Sequence, residues 1–524
     1  MSEQPAAALA VIVTGDDALV QRVCGDLRAA GHRVTIVPGS PVRKDVLLAA
    51  GIARAQAILA LDDDDRVNLE VALEAREANP NVRVVLRQFN RGLAGKIEQN
   101  LPNCSVISLA ANAAASIAAA AVEQSSFLGL EFPSGSRSLL SFARKSASEA
   151  GVAGMSVKDA EQHLGCRILS RGEPGGQSDA LEAREQLVLL GALRAFARVA
   201  PALQTTKGAL GWIAPRVRAI AGEFDPLLRI LVVAGVLVFA AATAYFSFAL
   251  NLSPITAAYF VTATMTTVGY GDVPLAQRGY SAQLADIFLM IAGVTISNLA
   301  IAFVAAALVR AQWNALQGLR PVRNVGHIVV LGAGQVGTRV VDYLCELQAL
   351  VTVVEPRPGP ELLRRARTRD IDLLTGDGAL DDTLDLCNLD RARSTVVVTN
   401  SDATNLEIGF SARARRGDVP VIMRIAEPVF AEAIRKHFEI RHVFSAAALA
   451  APALSDLVLS ENARGRVAFA GRSYRIAEYA TASTADRSSL PVAAARRDGS
   501  VRAIGAWSDV SPDDAVLVLL PSVP

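Results

Sequence analysis

Cysteine and histidine are scarce, five of each in 524 residues, and neither forms a pattern. Cys24, Cys104, Cys166, Cys345 and Cys387 are odd in number and far apart, which argues against a disulfide framework and fits reduced thiols. His32, His163, His327, His437 and His442 lack metal-ligand spacing, so no zinc motif is expected from them. Net charge is also nearly absent, with 52 basic against 51 acidic residues. Without a basic excess nothing would grip a phosphate backbone, and nucleic acid is not an expected partner. The start, Met1-Ser2-Glu3, shows neither a basic leader region nor a cleavage pattern. The apolar run from Ala6 to Thr14 is short and stops at Gly15, so it reads as a first strand.

Apolar residues are plentiful. They make up 51% of a chain long enough for three or more structural units, and the mean hydropathy of +0.32 points to a membrane segment. Leu227 to Leu250 is almost uninterrupted apolar sequence, its only charge being Arg229 near one end, where it can snorkel. Leu284 to Val309 carries only Asp286 near its start and ends at Arg310. Each run is long enough to cross a bilayer, and neither has the polar stripe a soluble helix would show to water. Lys207, Arg216 and Arg218 precede the first run and Arg310, Arg320 and Arg323 follow the second. The connection holds Arg278 as its one cation, so both long flanks, and hence both termini, are expected on the cytoplasmic side.

Within the connection, Ser253 is a plausible N-cap and Pro254 a first helical residue, predicting a short re-entrant helix that stops at Thr267. Non-helical backbone at membrane depth is tolerated only where it is buried in protein or lines a wet cavity. The segment Thr267-Val268-Gly269-Tyr270-Gly271-Asp272 would sit there, with Gly269 and Gly271 supplying the positive φ that turns successive carbonyls toward one axis. Stacked carbonyl rings from four copies can replace the water shell of K+. This TVGYG segment resembles the signature filter of potassium channels, and the resemblance covers residues 227 to 309. It implies K+ coordination by Thr267 (hydroxyl included), Val268, Gly269 and Tyr270, with Tyr270 bracing the filter and Asp272 behind the outer mouth. Gly293, near mid-span in the second run, resembles the inner-helix hinge of such channels; close helix packing is the other reading. Asn298 either lines the cavity or makes a packing hydrogen bond.

Two cytosolic α/β units flank this pore. His327 to Leu331 reads as a strand, Gly332-Ala333-Gly334-Gln335-Val336-Gly337 as a glycine turn opening a helix, and Val351 to Val354 as the next strand, ending at Glu355. Strand, G-x-G-x-x-G, helix, and an acid about 20 residues on form a dinucleotide fingerprint. A carboxylate at Glu355 repels a 2′-phosphate, which favours NAD(H) or an adenine nucleotide over NADP. Further parallel strands are expected at Asp372 to Leu374, before Asp377, and at Thr395 to Thr399, before Asn400. The series resembles the RCK or KTN (TrkA-N-like) domains of potassium channels and uptake systems. That resemblance implies nucleotide contacts at Gly332, Gly334, Gln335, Gly337, Glu355, Asp377 and Asn400.

The N-terminal region is a second copy. Asp65, Asn68, Leu69, Glu70, Arg76 and Arg87 match Asp402, Asn405, Leu406, Glu407, Arg413 and Arg424 at one constant offset, as do Val106 and Ser108 with Val443 and Ser445. Its ligand loop has diverged, since Gly332, Gly334 and Gly337 correspond to Gly15, Asp17 and Val20, and only Pro38 lies near the place of Glu355. Phosphate would meet Asp16 and Asp17, so ordinary dinucleotide binding is expected to be lost there. The acidic run Asp62 to Asp65 is either a helix-start cluster or a divalent-cation site. Ala-rich segments, Ala110 to Val122 and Ala446 to Leu459, are expected as dimer-packing helices.

The expected fold is a multi-domain membrane protein, an all-α two-span pore flanked by two α/β Rossmann-like domains. Its order is 1–125 (degenerate Rossmann-like domain), 126–200 (C-lobe-like region), 201–226 (juxtamembrane linker), 227–309 (pore: spans 227–250 and 284–309, pore helix 254–266, filter 267–271), 310–326 (linker), 327–445 (second Rossmann-like domain) and 446–524 (helix and C-lobe). The resemblance implies a homotetrameric K+ channel of the plasma membrane, gated by a nucleotide. Alternatives are a regulatory subunit of a separate transporter and a membrane-tethered NAD-dependent oxidoreductase. The latter lacks a substrate domain and an acid/base constellation and leaves the filter unexplained, so the chain is not expected to be an enzyme.

Overall fold

The computed structural model describes residues 8–38, 42–88, 91–134, 136, 138–172, 180–199, 226–275, 279–316, 322, 324–369 and 371–522. The linker expected at 201–226 lies outside them apart from residue 226, as do the flanking cations Lys207, Arg216, Arg218, Arg278, Arg320 and Arg323. The chain divides into two units, Met1–Thr205 with Pro321–Pro524, and Thr206–Arg320.

In the first unit, two parallel sheets are built from short, continuously apolar strands such as Ile328–Leu331 and Val351–Val354, buried throughout. Such runs suit a sheet covered on both faces. The N-terminal sheet has the order Arg33–Val37, Ala10–Thr14, Ala57–Ala60, Arg83–Arg87, Cys104–Ile107. The C-terminal sheet has the order Asp372–Leu374, Val351–Val354, Ile328–Leu331, Ser394–Val397, Val421–Arg424, His442–Phe444. The two match strand for strand except for the edge strand Asp372–Leu374. In the N-terminal copy the described residues of the shorter stretch from Val37 to Ala57 hold only the helix Lys44–Ala49 and a 3-10 turn.

The Ala-rich helices join the two copies within one chain. Leu109–Val122, nearly all buried, packs against the helix Gln335–Glu346 and the C-terminal sheet. Ala446–Leu457 packs against the helix Ala18–Ala29 and the N-terminal sheet. Small side chains permit this approach, and the buried carbonyls at the helix ends are met from the opposite copy or the sheet they rest on. Ser394 Oγ donates to the Ala121 carbonyl at 2.9 Å, Arg393 to that of Val122 at 2.5 Å, and Arg83 to that of Leu457. A four-stranded antiparallel sheet from Ser126 to Ala192 and a five-stranded one from Ala463 to Pro521 follow the respective Rossmann-like parts. They share a core in which Phe132 and Phe142 meet Val467, Ile476, Leu517 and Leu519. Fully burying each such phenylalanine is worth about 1.5–3 kcal/mol.

Among the described residues the second unit contains three helices, Pro226–Ala249, Pro254–Met265 and Tyr280–Leu316. The short helix starts where the sequence signals it, Ser253 accepting the Thr256 N–H at 3.2 Å with Pro254 in the first turn. Phe246, Ala257, Phe260, Val261 and Leu289 form its core, with the Phe246 and Phe260 rings edge-on at 5.0 Å. Outward faces stay apolar: Ile230, Leu237, Phe248, Phe288 and Ile301 are exposed. Two stretches, Ile230–Ala249 and Tyr280–Phe303, are long and apolar enough to cross a membrane. The last helix differs from expectation at its end. A linker is expected from 310, yet the helix continues to Leu316, because no breaker intervenes before Gly318 and Pro321.

Candidate functional site

The pore-loop segment is held by the end of the helix before it. Thr266 closes the helix through its N–H to the Thr262 carbonyl at 2.9 Å and its hydroxyl to the same oxygen at 2.7 Å. The Thr267 N–H donates to the Thr264 carbonyl at 3.1 Å, and those of Val268 and Gly269 both donate to the Ala263 carbonyl, at 2.9 and 3.1 Å. Positive φ alternates along the loop, at Thr267 (63°), Gly269 (53°) and Gly271 (73°). The glycines are expected there, but a β-branched residue at positive φ is a genuine outlier costing about 1–2 kcal/mol, held by the hydrogen bonds around it. Tyr270 stacks on Tyr259 of the short helix, rings 6.1 Å apart and nearly parallel at 4°, and Tyr259 also faces Asp272.

Gly293 lies inside an unbroken helix, where a Cβ would come within 2.7 Å of Met265 Cα and 3.0 Å of its carbonyl oxygen. Its bare backbone is what lets the long helix touch the end of the short one. Asn298 is exposed, and its side chain has no hydrogen-bond partner among the described residues.

The glycine turn opens a cleft of about 590 Å³ in the C-terminal copy. Gly332, Gly334, Glu355, Asp377 and Asn400 line it; Gln335 and Gly337 do not. The three glycines have separate physical reasons. Gly332 has φ +96°, and a Cβ there would meet the Thr399 backbone at 2.9 Å. At Gly337 a Cβ would lie 2.0 Å from the Gly332 carbonyl oxygen. At Gly334 the nearest atom, Asn400 Oδ1, is 3.5 Å away, so the protein itself leaves that place open. Gly334 N-caps the helix Gln335–Glu346 with no side chain on the first-turn donors, the arrangement that receives an anion. Glu355 Oε2 accepts the Ala333 N–H at 2.8 Å, and the Thr338 hydroxyl donates to the Ala333 carbonyl at 2.8 Å, fixing the turn. Arg357, Thr338, Ser401 and Thr404 also line the cleft and are missed by the fingerprint. Ser401 carries a readable signal, as the N-cap of the helix Asp402–Arg415.

In the N-terminal copy a side chain occupies the matching helix start. Gly15 repeats the positive φ at 112°, and Asp17 stands where Gly334 does, N-capping Ala18–Ala29 through the Val20 N–H at 3.0 Å. Its other carboxylate oxygen pairs with Arg87 at 2.5 Å. The acidic run is a helix start: Asp64 caps Asp65–Ala78, and Asp62 accepts the Asp64 N–H. Among the described residues no three His, Cys, Asp or Glu groups are placed to hold a metal ion.

Family models separate along the same lines, the TrkA-N domain matching residues 7–108 and 328–446 and the ion channel domain residues 232–310. Two TrkA-N domains flank one ion-channel domain in this chain. Among curated relatives, the voltage-gated potassium channel Kch of Escherichia coli K12 is 27% identical over 180 residues, 33% of this chain and 42% of that protein. Potassium channel protein 1 of Methanocaldococcus jannaschii is 24% identical over 181 residues, 33% of this chain and 53% of that protein. The chain thus spans about half the length of the curated relatives it matches. A solved GsuK channel shares the fold, with TM-score 0.50 and 14% identity over 98% of this chain and 77% of that one. The cleft thus belongs to the second TrkA-N domain and the Thr267–Gly271 loop to the ion-channel domain.

Proposed function

We propose that the chain is a K+-selective channel, assembled as a homotetramer in the plasma membrane with both termini cytoplasmic, and regulated by an adenine nucleotide such as NAD(H) or ADP in the second TrkA-N domain. The observation that carries the pore is the loop Thr267–Gly271, which has positive φ at every second residue and directly follows a helix between two apolar spans. Four such loops around one axis would offer K+ the oxygens of Thr267, Val268, Gly269 and Tyr270 in place of water. Tyr259 against Tyr270 would hold the ring width, and the carbonyl end of the short helix would favour a cation below. Potassium channels among the relatives support the choice of ion.

Regulation follows from the cleft. A nucleotide phosphate fits at the helix start above Gly334, and the ribose hydroxyls fit Glu355, which would exchange the Ala333 N–H for them. Only a ligand that binds open and closed arrangements unequally can bias the pore, and Gly293 is the proposed point where the long helix bends. Purified protein in liposomes tests both parts. Potassium flux well above sodium flux, altered by NAD, NADH or ADP and insensitive to them in Glu355→Ala, is expected. Equal sodium and potassium permeability would remove the filter assignment; a nucleotide-blind but selective flux would remove only the ligand.

A further inference from the structure

The two copies superpose in one further respect that bears on ligand charge. Arg87 and Arg424 both end the last strand but one of their sheets, and both have their carbonyls held by an asparagine of the helix that precedes that strand. Asn68 Nδ2 donates to the Arg87 carbonyl at 3.0 Å and Asn405 Nδ2 to that of Arg424 at 2.9 Å. The same asparagines accept the N–H groups of Asp62 and Thr399, at 2.8 and 2.9 Å. With the framework conserved between copies, the difference lies in what faces the guanidinium. Arg87 has the Asp17 carboxylate at 2.5 Å and the Leu61 carbonyl at 3.0 Å. Arg424 has the carbonyl of Thr399 at 3.1 Å, and Thr399 lines the cleft. Where Asp17 would stand there is Gly334 and open space. Burial pushes the Arg424 guanidinium below its ordinary pKa, opposed by the nearby Asp402, whose carboxylate accepts the Ala426 N–H.

We infer that Arg424 neutralises the ligand's phosphate in the C-terminal cleft, and that in the N-terminal copy the Asp17 carboxylate stands permanently in that phosphate's place. This rests on the nucleotide reading of the cleft and adds the residue that recognises the charged part of the ligand. Asp17 satisfies both partners an incoming phosphate would use, the helix-start N–H and the arginine. The first copy is then a constitutively occupied form of the second, held shut by its own side chain.

Two measurements on the full-length chain in detergent separate the possibilities. In the first, adenosine, AMP and ADP are titrated calorimetrically into wild type and Arg424→Gln. ADP and AMP affinities are expected to fall at least tenfold in the variant, while adenosine changes less than twofold. An equal fall for all three would mean that Arg424 only supports the fold, and unchanged ADP binding would mean that it does not meet the phosphate; either overturns the inference while leaving the cleft a nucleotide site. The second measurement uses no ligand. Gly334→Asp, which copies the N-terminal arrangement, is expected to raise the unfolding midpoint of the wild-type chain but not of Arg424→Gln, and to abolish ADP binding. The same stability change in both backgrounds would overturn the pairing. A wild-type chain that bound neither ADP nor adenosine would remove the nucleotide reading, and the stability cycle would still decide whether Arg424 takes up a carboxylate at that place.

Discussion

A single methyl group distinguishes the two jobs that glycine does in the C-terminal turn. At Gly337 it would sit 2.0 Å from the Gly332 carbonyl oxygen, backbone that cannot rotate away, and 3.2 Å from the Val398 side chain. The helix would have to lift off the strand, and overpacking of this kind costs about 1–3 kcal/mol. At Gly334 the same methyl would meet nothing nearer than 3.5 Å, so Gly334→Ala should cost only the roughly 0.5–1 kcal/mol by which alanine is a poorer N-cap than glycine. Its methyl projects where a phosphate would lie, and a displacement worth about 1.4 kcal/mol already weakens binding tenfold. Urea unfolding and ADP calorimetry on both variants are the assays. Gly337→Ala should lower the midpoint more than Gly334→Ala does, and Gly334→Ala should lose at least tenfold in affinity. A Gly334→Ala protein that binds ADP like wild type would refute the placement of phosphate at this helix start.

Other perturbations reach the pore and the sheet. Gly269→Ala forces a side chain into φ +53°, costs about 1–2 kcal/mol and turns one carbonyl away, so liposome flux should lose its preference for potassium over sodium. Gly293→Val places branched bulk against Met265, 2.7 Å from the Cα at its first carbon, and should abolish flux; retained wild-type flux would show that this contact is dispensable. His327 is fully buried, and desolvation lowers its pKa from the ordinary value near 6.5. The unfolded chain therefore takes up this proton first, and stability should fall as pH drops below about 6.5, by up to about 1.4 kcal/mol per unit until the folded pKa is reached. Denaturation followed between pH 7.5 and 5 checks this, and His327→Gln should flatten the profile. Burial also pushes Cys166 and Cys387 to about 12, so both thiols should resist alkylation in the native state and react on unfolding.

What is legible in the chain depends on the range of the interaction that makes it. Ser253-Pro254, the two long apolar runs and the glycine turn at Gly332 are local signals, and helices and strands form there to within a few residues. Positive φ at Gly269 and Gly271 is likewise written in residue type. Positive φ at Thr267 is not, because it is imposed by the folding back of Val268 and Gly269 onto one carbonyl, that of Ala263. The Ala-rich composition of Leu109–Val122 and Ala446–Leu457 says that something packs closely on them but not what. Their partners are more than two hundred residues away, in the opposite copy. Gly337 illustrates the limit of a motif: it belongs to the fingerprint, yet its reason is contact with Gly332 and not with the cleft.

Fusing both copies into one chain has a consequence for stoichiometry. Because each Ala-rich helix is seated on the other copy's sheet, an open cleft and a closed one are always paired within a single polypeptide. Two separate identical domains exchanging such helices would carry two clefts and respond in two steps. If the Asp17 to Arg87 ion pair keeps nucleotide out of the first copy, as proposed, all ligand-dependent change in the pair enters through the Gly334 side. On the proposed reading a four-chain channel therefore has four regulatory sites, and the sealed copies act as the fixed half against which the open half moves. Nucleotide saturation at one equivalent per chain is the expected result, and two equivalents in wild type would mean that Asp17 does not close its copy.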